Sequence, residues 1–289
     1  MKTSRYRLFV FVEGRELDVP FYDGISRTAL AATGFEYTVE RIVAVQGHEG
    51  KSGLEEYYEY LRDQRKLNQA NSRGRVSALF FMDRDFDPII KSQLPRTKNI
   101  ALTRTYNVEA EVFDSADPVR ALADLASLSD GEAARVAADL GKWQHELADK
   151  WSTWLELCVI SVALGSQCRT KPKSQSRINS PVFGPVSDIA AAAESELVST
   201  TATCEDPVVR RQVIEERLSK ALRRNGHFPL LSGKHLGAYL EERLRAHPIA
   251  QHGHMRALAG AASRVHLARL DFGGEWADYY RRKILQAVV

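Results

Sequence analysis

Two apolar runs in this chain stop abruptly at acids. Val10-Phe11-Val12 ends at Glu13-Gly14, and Leu79-Phe80-Phe81-Met82 ends at Asp83-Arg84-Asp85-Phe86-Asp87. A buried strand that delivers carboxylates at its end sets charge where burial is costly, and unpaired buried charge is strongly disfavoured. A bound cation or basic partners normally reconcile such a cluster. Glu13, Asp83 and Asp85 therefore form a candidate hard-metal site, with Asp87 as a further candidate ligand. Asp87 before Pro88 equally suits the cap of a helix. Glu109, in Tyr106-Asn107-Val108-Glu109-Ala110-Glu111, follows another strand-like run and is a candidate fourth acid. Its alternative is a first-turn carboxylate favouring the helix dipole.

Three other acid-x-acid chemistries fit less well. A calcium-binding EF-hand loop needs Gly after the third acid and Glu at its twelfth position, where this chain has Pro88 and Leu94. Aspartyl-nucleophile phosphatases and glycosyltransferases use similar acid pairs after a strand, but neither accounts for Glu13-Gly14.

The elements that must position these acids alternate in type. Tyr6 to Val12 is β-branched and aromatic, as strands are. A helix capped by Asp18, with Pro20 in its first turn and Phe21, Ile25, Ala29 and Ala32 on one face, ends at Gly34. A second strand runs from Tyr37 to Val45. Ser52 and Glu55 make a capping-box pair ahead of Leu54, Tyr57, Tyr58 and Leu61 at helical spacing. Val76 to Met82 is a third strand, apolar enough for burial on both faces, and Lys98 to Thr103 a weaker fourth. Strands separated by helix-length segments imply crossovers and a mainly parallel sheet. Sites in such sheets form beyond the carboxyl ends of the strands, where Glu13 and Asp83 both fall.

From about Ser127 the strand-like runs vanish. Trp143, Leu147, Trp151, Trp154, Leu155, Cys158 and Val162 recur at helical spacing as one amphipathic helix, read as core packing. Asp206-Pro207 opens another helix that ends at Asn225-Gly226, and two or three more follow to near Leu285. The fold class is thus α/β, with a sheet domain over 1–126 and an all-helical domain over 127–289.

Composition excludes little. Lys and Arg number 40 against 37 Asp and Glu, so any nucleic-acid surface must be local. Cys158, Cys168 and Cys204 lack zinc-site spacing and suit no disulfide framework. No apolar signal region follows Met1, and Trp151 to Leu164 is too short to span a bilayer and contains Glu156. The reading is a cytoplasmic protein without a membrane partner.

Other motifs carry weaker chemistry. Gly47-His48-Glu49-Gly50-Lys51-Ser52 follows a strand and opens a helix like a phosphate-binding loop, but Val45 stands where its first glycine belongs. Its interest is its position at the same end of the sheet. Between Ser166 and Ser187 there is no acid, and Arg169, Lys171, Lys173 and Arg177 suit phosphate contact; a solvated linker is the alternative. Arg210, Arg211, Arg217, Lys220, Arg223 and Arg224 add charge to the helix after Pro207, in part balanced by Glu215 and Glu216. His247, His252 and His254 lack a fourth zinc ligand and read as surface residues.

Strand-Glu-Gly, a second strand, then strand-Asp-x-Asp-x-Asp resembles the TOPRIM domain of primases, topoisomerases and overcoming-lysogenisation-defect nucleases, over roughly Tyr6 to Phe113. Val12-Glu13-Gly14, Asp18, Phe21-Tyr22, Asp83-Arg84-Asp85, Tyr106 to Glu109 and Ser232-Gly233-Lys234 together resemble a narrower group. These are TOPRIM-like proteins encoded beside an ABC-type ATPase in anti-phage systems of the PARIS kind. Asp18 lies one residue further from Glu13 than that pattern expects. The resemblance implies a Mg²⁺-dependent nuclease, with Mn²⁺ as a substitute, that acts as a toxin on RNA or tRNA in preference to DNA. Glu13 would serve acid-base chemistry or metal binding, and Asp83 and Asp85 would hold the metal. Lys234 would face the nucleic acid, an ABC-type ATPase would control the chain, and a homodimer is the expected assembly. A catalytically silent adaptor on the same scaffold is the rival.

Overall fold

The computed structural model describes residues 6–14, 16–42, 50–71, 74–95, 97–165, 206–250 and 258–289. Strand β1 (Tyr6–Val12) alternates side chains between two buried faces: Leu8, Val10 and Val12 enter one core, Phe9 and Phe11 the other. Strand β4 (Gly74–Met82) divides the same way, Leu79 and Phe81 against Ala78, Phe80 and Met82. Covering both faces is what an uninterrupted apolar strand requires. β4 therefore lies parallel beside β1, with Val10 opposite Leu79 and Phe11 opposite Phe80.

Strand β2 (Glu36–Arg41) pairs parallel with the far side of β1 and forms one edge. The free side of β4 is shared by two short strands. β3 (Asn68–Asn71) takes its first half in antiparallel register, and β5 (Ile100–Leu102) its second half in parallel. The sheet is thus mostly parallel, as the alternation of elements predicts. β3 is new; its Asn-Gln-Ala-Asn has no alternation to announce it.

Helix α1 (Asp18–Leu30) buries Phe21, Tyr22 and Ile25 against one sheet face, where Tyr22 stacks on Phe81 at 4.1 Å between ring centroids. Asp18 is its first helical residue, and no side-chain cap precedes it. Helix α2 (Gly50–Asp63) covers the other face through Leu54 and Leu61. The capping box expected at Ser52 is not formed. Ser52 lies inside the helix, and Glu55 pairs instead with Lys91 at 3.1 Å.

Short helix α3 (Asp87–Ile90) follows the acidic run and is succeeded by α4 (Val108–Ser115), α5 (Pro118–Ala126) and α6 (Asp130–Leu140). The tryptophan-rich segment expected as one helix is two, α7 (Trp143–Lys150) and α8 (Ser152–Ala163), with a break at Trp151. Helix α9 (Pro207–Asn225) begins and ends where its proline and glycine predict, and α10 (Leu236–Ala246), α11 (Leu258–Ala268) and α12 (Asp278–Val288) follow it among the described residues. Trp143, Trp151, Trp154 and Cys158 lie in the helical core, which also takes in Phe86 and Ile89. α12 crosses the 126/127 boundary in the opposite sense: Tyr280 and Ile284 pack into the sheet core beside Phe21 and Phe81. Among the described residues no helix is long and apolar enough to cross a membrane.

His266 on α11 is buried against Phe113, with Nδ1 2.8 Å from the Ala262 carbonyl, and burial lowers its pKa to about 4. The unfolded chain takes up this proton near the ordinary value of about 6.5. Stability from this group is therefore complete above that value and is lost as pH falls toward 4. Denaturant titration should show about 2 kcal/mol less stability at pH 5 than at pH 7.5 from His266 alone. His266→Leu should flatten that part of the pH dependence; an unchanged slope would contradict the assignment.

Candidate active site

Register brings the first two acids together. β1 and β4 run side by side, so the residues just past their carboxyl ends, Glu13 and Asp83, become neighbours, and Glu13 Oε1 accepts a hydrogen bond from the Asp83 backbone N–H at 2.8 Å. Asp18, at the start of α1, folds back so that its Oδ2 accepts from Gly14 N–H at 2.7 Å. A Cβ at Gly14 would meet that carboxylate at 2.9 Å, so a side chain there would push the Asp18 carboxylate out of this position. Glu109 arrives from the first turn of α4, whose N-cap is Asn107, and acts electrostatically on both Asp18 and Asp83.

This crowding sets the protonation of the acids. Burial, opposed by the Asp83 N–H bond and Lys51, pushes Glu13 up to about 7, with Asp85 and Asp18 adding to the rise. Burial likewise carries Asp18 up to about 6, with Glu109 adding to it. Asp83 is raised well above its ordinary value, first by burial and then by Glu13, Asp18, Asp85 and Glu109. These are the signs expected when like charges share a low-dielectric site.

The second half of the acidic run has a different environment. Lys51 Nζ lies 2.9 Å from both Asp85 Oδ2 and Asp87 Oδ2. Lys91 also reaches Asp87 Oδ2 at 2.9 Å. Asp87 is buried, occupies the first turn of α3 and carries two ammonium partners. Arg84 turns away from the acids and donates to the Arg104 carbonyl at 2.8 Å.

The remaining wall comes from the helical half. Asn107 Oδ1 accepts from Gly233 N–H at 3.0 Å and from Ala110 N–H at 3.2 Å, pinning the Ser232-Gly233-Lys234 turn to the start of α4. Lys234 thereby lines a cavity of about 380 Å³ with Glu13, Asp83, Asp85, Asp87 and Tyr106. A larger groove of about 540 Å³ between Lys91 and Arg217 of α9 gathers no comparable set of acids.

A Cβ at Gly233 would lie 2.2 Å from the Ala110 nitrogen, which is backbone and cannot swing aside. Gly233→Ala should therefore cost about 2 kcal/mol or more, in the range of overpacking. Urea denaturation measures this, and wild-type stability would contradict the close approach.

Glu13, Asp83, Asp85, Asp87 and Lys234 thus share one cavity, with Glu109 and Asp18 in electrostatic reach. Arg169, Lys171, Lys173 and Arg177 lie outside the described residues, as do His252, His254, Cys168 and Cys204. His247 pairs with Asp139 at 3.2 Å. On α9, Arg210 donates to the Ala163 carbonyl, Arg211 pairs with Glu215, and Arg217 reaches the Ile89 and Lys91 carbonyls. Lys51 is the site residue that sequence reasoning undervalued. It belongs to the loop set aside for lacking a first glycine, and only the fold brings it to acids more than thirty positions away.

Among the described residues no three acid, histidine or cysteine side chains are drawn into a ready-made metal cage. The donor chemistry nonetheless suits a hard divalent ion. Mg²⁺ binds through one or two carboxylates, keeps several waters and takes further ligands from substrate phosphates. Glu13, Asp18 and Asp83 supply oxygen donors whose repulsion a cation would relieve. In comparisons with family models, curated proteins and solved structures, the chain has no match to any of the three.

Proposed function

We propose that this chain is a Mg²⁺-dependent nuclease of TOPRIM type that cleaves phosphodiester bonds, with RNA, tRNA above all, preferred to DNA. The observation that carries the reading is the pairing of Glu13 with Asp83 at the carboxyl ends of two parallel central strands, in a cavity that also admits a lysine. Glu13, Asp18 and Asp83 would hold the ion. Bound there, Mg²⁺ would polarise the phosphodiester and stabilise the leaving oxygen. Burial raises Glu13 to about 7 in the ion-free site and a bound cation would draw it down again, so Glu13 would meet the substrate as a carboxylate able to accept a proton at the oxygen not occupied by Asp83 N–H. Lys234 brings an ammonium to the cavity wall, where it can meet a phosphate oxygen. The resemblance to anti-phage effectors supplies the rest of the proposal: a toxin controlled by an ABC-type ATPase and working as a homodimer.

One observation favours the silent-adaptor reading instead: Asp85 and Asp87 are already neutralised by lysines, as they would be in a site that no longer binds metal. Incubation of the purified chain with tRNA, single-stranded RNA and duplex DNA in Mg²⁺ discriminates the two. The nuclease reading expects RNA fragments at catalytic protein concentration. Retention of intact nucleic acid in both Mg²⁺ and Mn²⁺ would support the adaptor.

A further inference from the structure

The Lys51 ammonium has no free donor. Its three N–H groups face the Asp83 carbonyl at 2.6 Å, Asp85 Oδ2 at 2.9 Å and Asp87 Oδ2 at 2.9 Å, which exhausts the capacity of a lysine. Its side chain is only 17% exposed. Every acceptor belongs to the short run from Asp83 to Asp87, and the backbone is shaped to gather them. Asp85 adopts a left-handed φ of 48°, unusual outside glycine, and its N–H is fixed to the Tyr106 carbonyl at 2.9 Å. On the other side of the cluster positive charge acts only from a distance, Lys51 on Glu13 and Lys234 on Asp18. None of Glu13, Asp18 and Asp83 forms a side-chain ion pair with a described residue.

A two-metal phosphodiester site sets its ions about 3.5–4 Å apart and shares carboxylates between them. Here two of the five acids, Asp85 and Asp87, already enclose a fixed positive charge supplied by the chain. A second divalent ion among Asp85 and Asp87 would have to displace Lys51 or sit against it. Resting on the metal reading above, we propose that the Lys51 ammonium stands in place of a second metal ion. The chain then binds a single divalent cation, on the side of Glu13, Asp18 and Asp83. Lys51 is a positioning residue in this arrangement: its hydrogen bonds hold the acidic run in shape, and its charge sets the number of ions.

Mn²⁺ binding to the full chain tests this, with stoichiometry from equilibrium dialysis and paramagnetic resonance to reveal spin-coupled ion pairs. Wild type is expected to bind one Mn²⁺ per chain with no coupled pair. Lys51→Met, which removes the charge and keeps much of the length, should admit a second ion and a coupled signal. Lys51→Arg should remain at one. Two ions bound by wild type would overturn the proposal, whether or not Lys51→Met folds. So would a folded Lys51→Met protein that still binds one. No Mn²⁺ bound by wild type would overturn it by a separate route, because the metal reading beneath it would have failed.

Discussion

Asp83→Asn is expected to abolish cleavage while making the ion-free protein more stable. Asp83 is both a proposed ligand and the most crowded acid of the cluster, facing Glu13, Asp18, Asp85 and Glu109. Asparagine keeps the shape but removes the charge. Losing a ligand of a metal that contributes several kcal/mol of transition-state stabilisation corresponds to roughly a thousandfold in rate or more, since each 1.36 kcal/mol or so is tenfold. The stability effect has the opposite sign. An acid whose pKa is raised on folding destabilises the folded state at pH values above its unfolded pKa, where the unfolded chain ionises freely. Without divalent ions the melting temperature of Asp83→Asn at pH 8 should therefore exceed that of wild type. Added Mg²⁺ should narrow the gap, since it relieves the same repulsion in wild type. A variant that is inactive and also less stable would point to a structural role for Asp83 and against the metal assignment.

Glu13→Gln should lose roughly a hundredfold or more in rate, the scale of a general acid-base contribution. The fold should be preserved, because a glutamine oxygen can still accept from Asp83 N–H, the bond that joins β1 to β4 at the site. The parallel variant Glu109→Gln separates two assignments. Glu109 stands in the first turn of α4 and reaches Asp18 and Asp83 by charge. Single-turnover rates near wild type for Glu13→Gln, together with loss in Glu109→Gln, would move proton handling to Glu109.

How far these features were legible depends on the range over which each is decided. β1 and β4 are apolar on both faces, so their central place and the acids at their ends follow from local pattern. Helix α9 is bounded by a proline at its start and a glycine at φ 64° after its end, which are local signals too. β3 has no such pattern: four residues gain their strand only by pairing with β4. The break at Trp151 is hidden because α7 and α8 bury the same apolar stripe, so helical periodicity continues through it. The return of α12 to the sheet is decided by surfaces far apart in sequence, such as Tyr280 against Phe21 and Phe81.

The site divides along the same line. Glu13, Asp83 and Asp85 declare themselves because acids end apolar strands. Lys51 does not, because its acceptors come from a different segment of the chain. The buried pair of Glu111 with Arg104 was equally invisible. Glu111 is fully buried, its pKa raised by burial against the pull of Arg104, and nothing in its neighbours distinguishes it from Glu109. Helical phase relative to the sheet buries Glu111 against Arg104 and leaves Glu109 in electrostatic reach of Asp18 and Asp83.

If phosphodiester cleavage takes place at the Glu13–Asp83 cluster, it needs both Asp83 and a divalent ion. The most direct test measures cleavage of one labelled tRNA by wild type and Asp83→Asn, purified side by side, in Mg²⁺ and in chelator. Cleavage is expected only by wild type in Mg²⁺, with both proteins equally folded by circular dichroism. Cleavage by Asp83→Asn at the wild-type rate, or by wild type in chelator, would contradict that requirement.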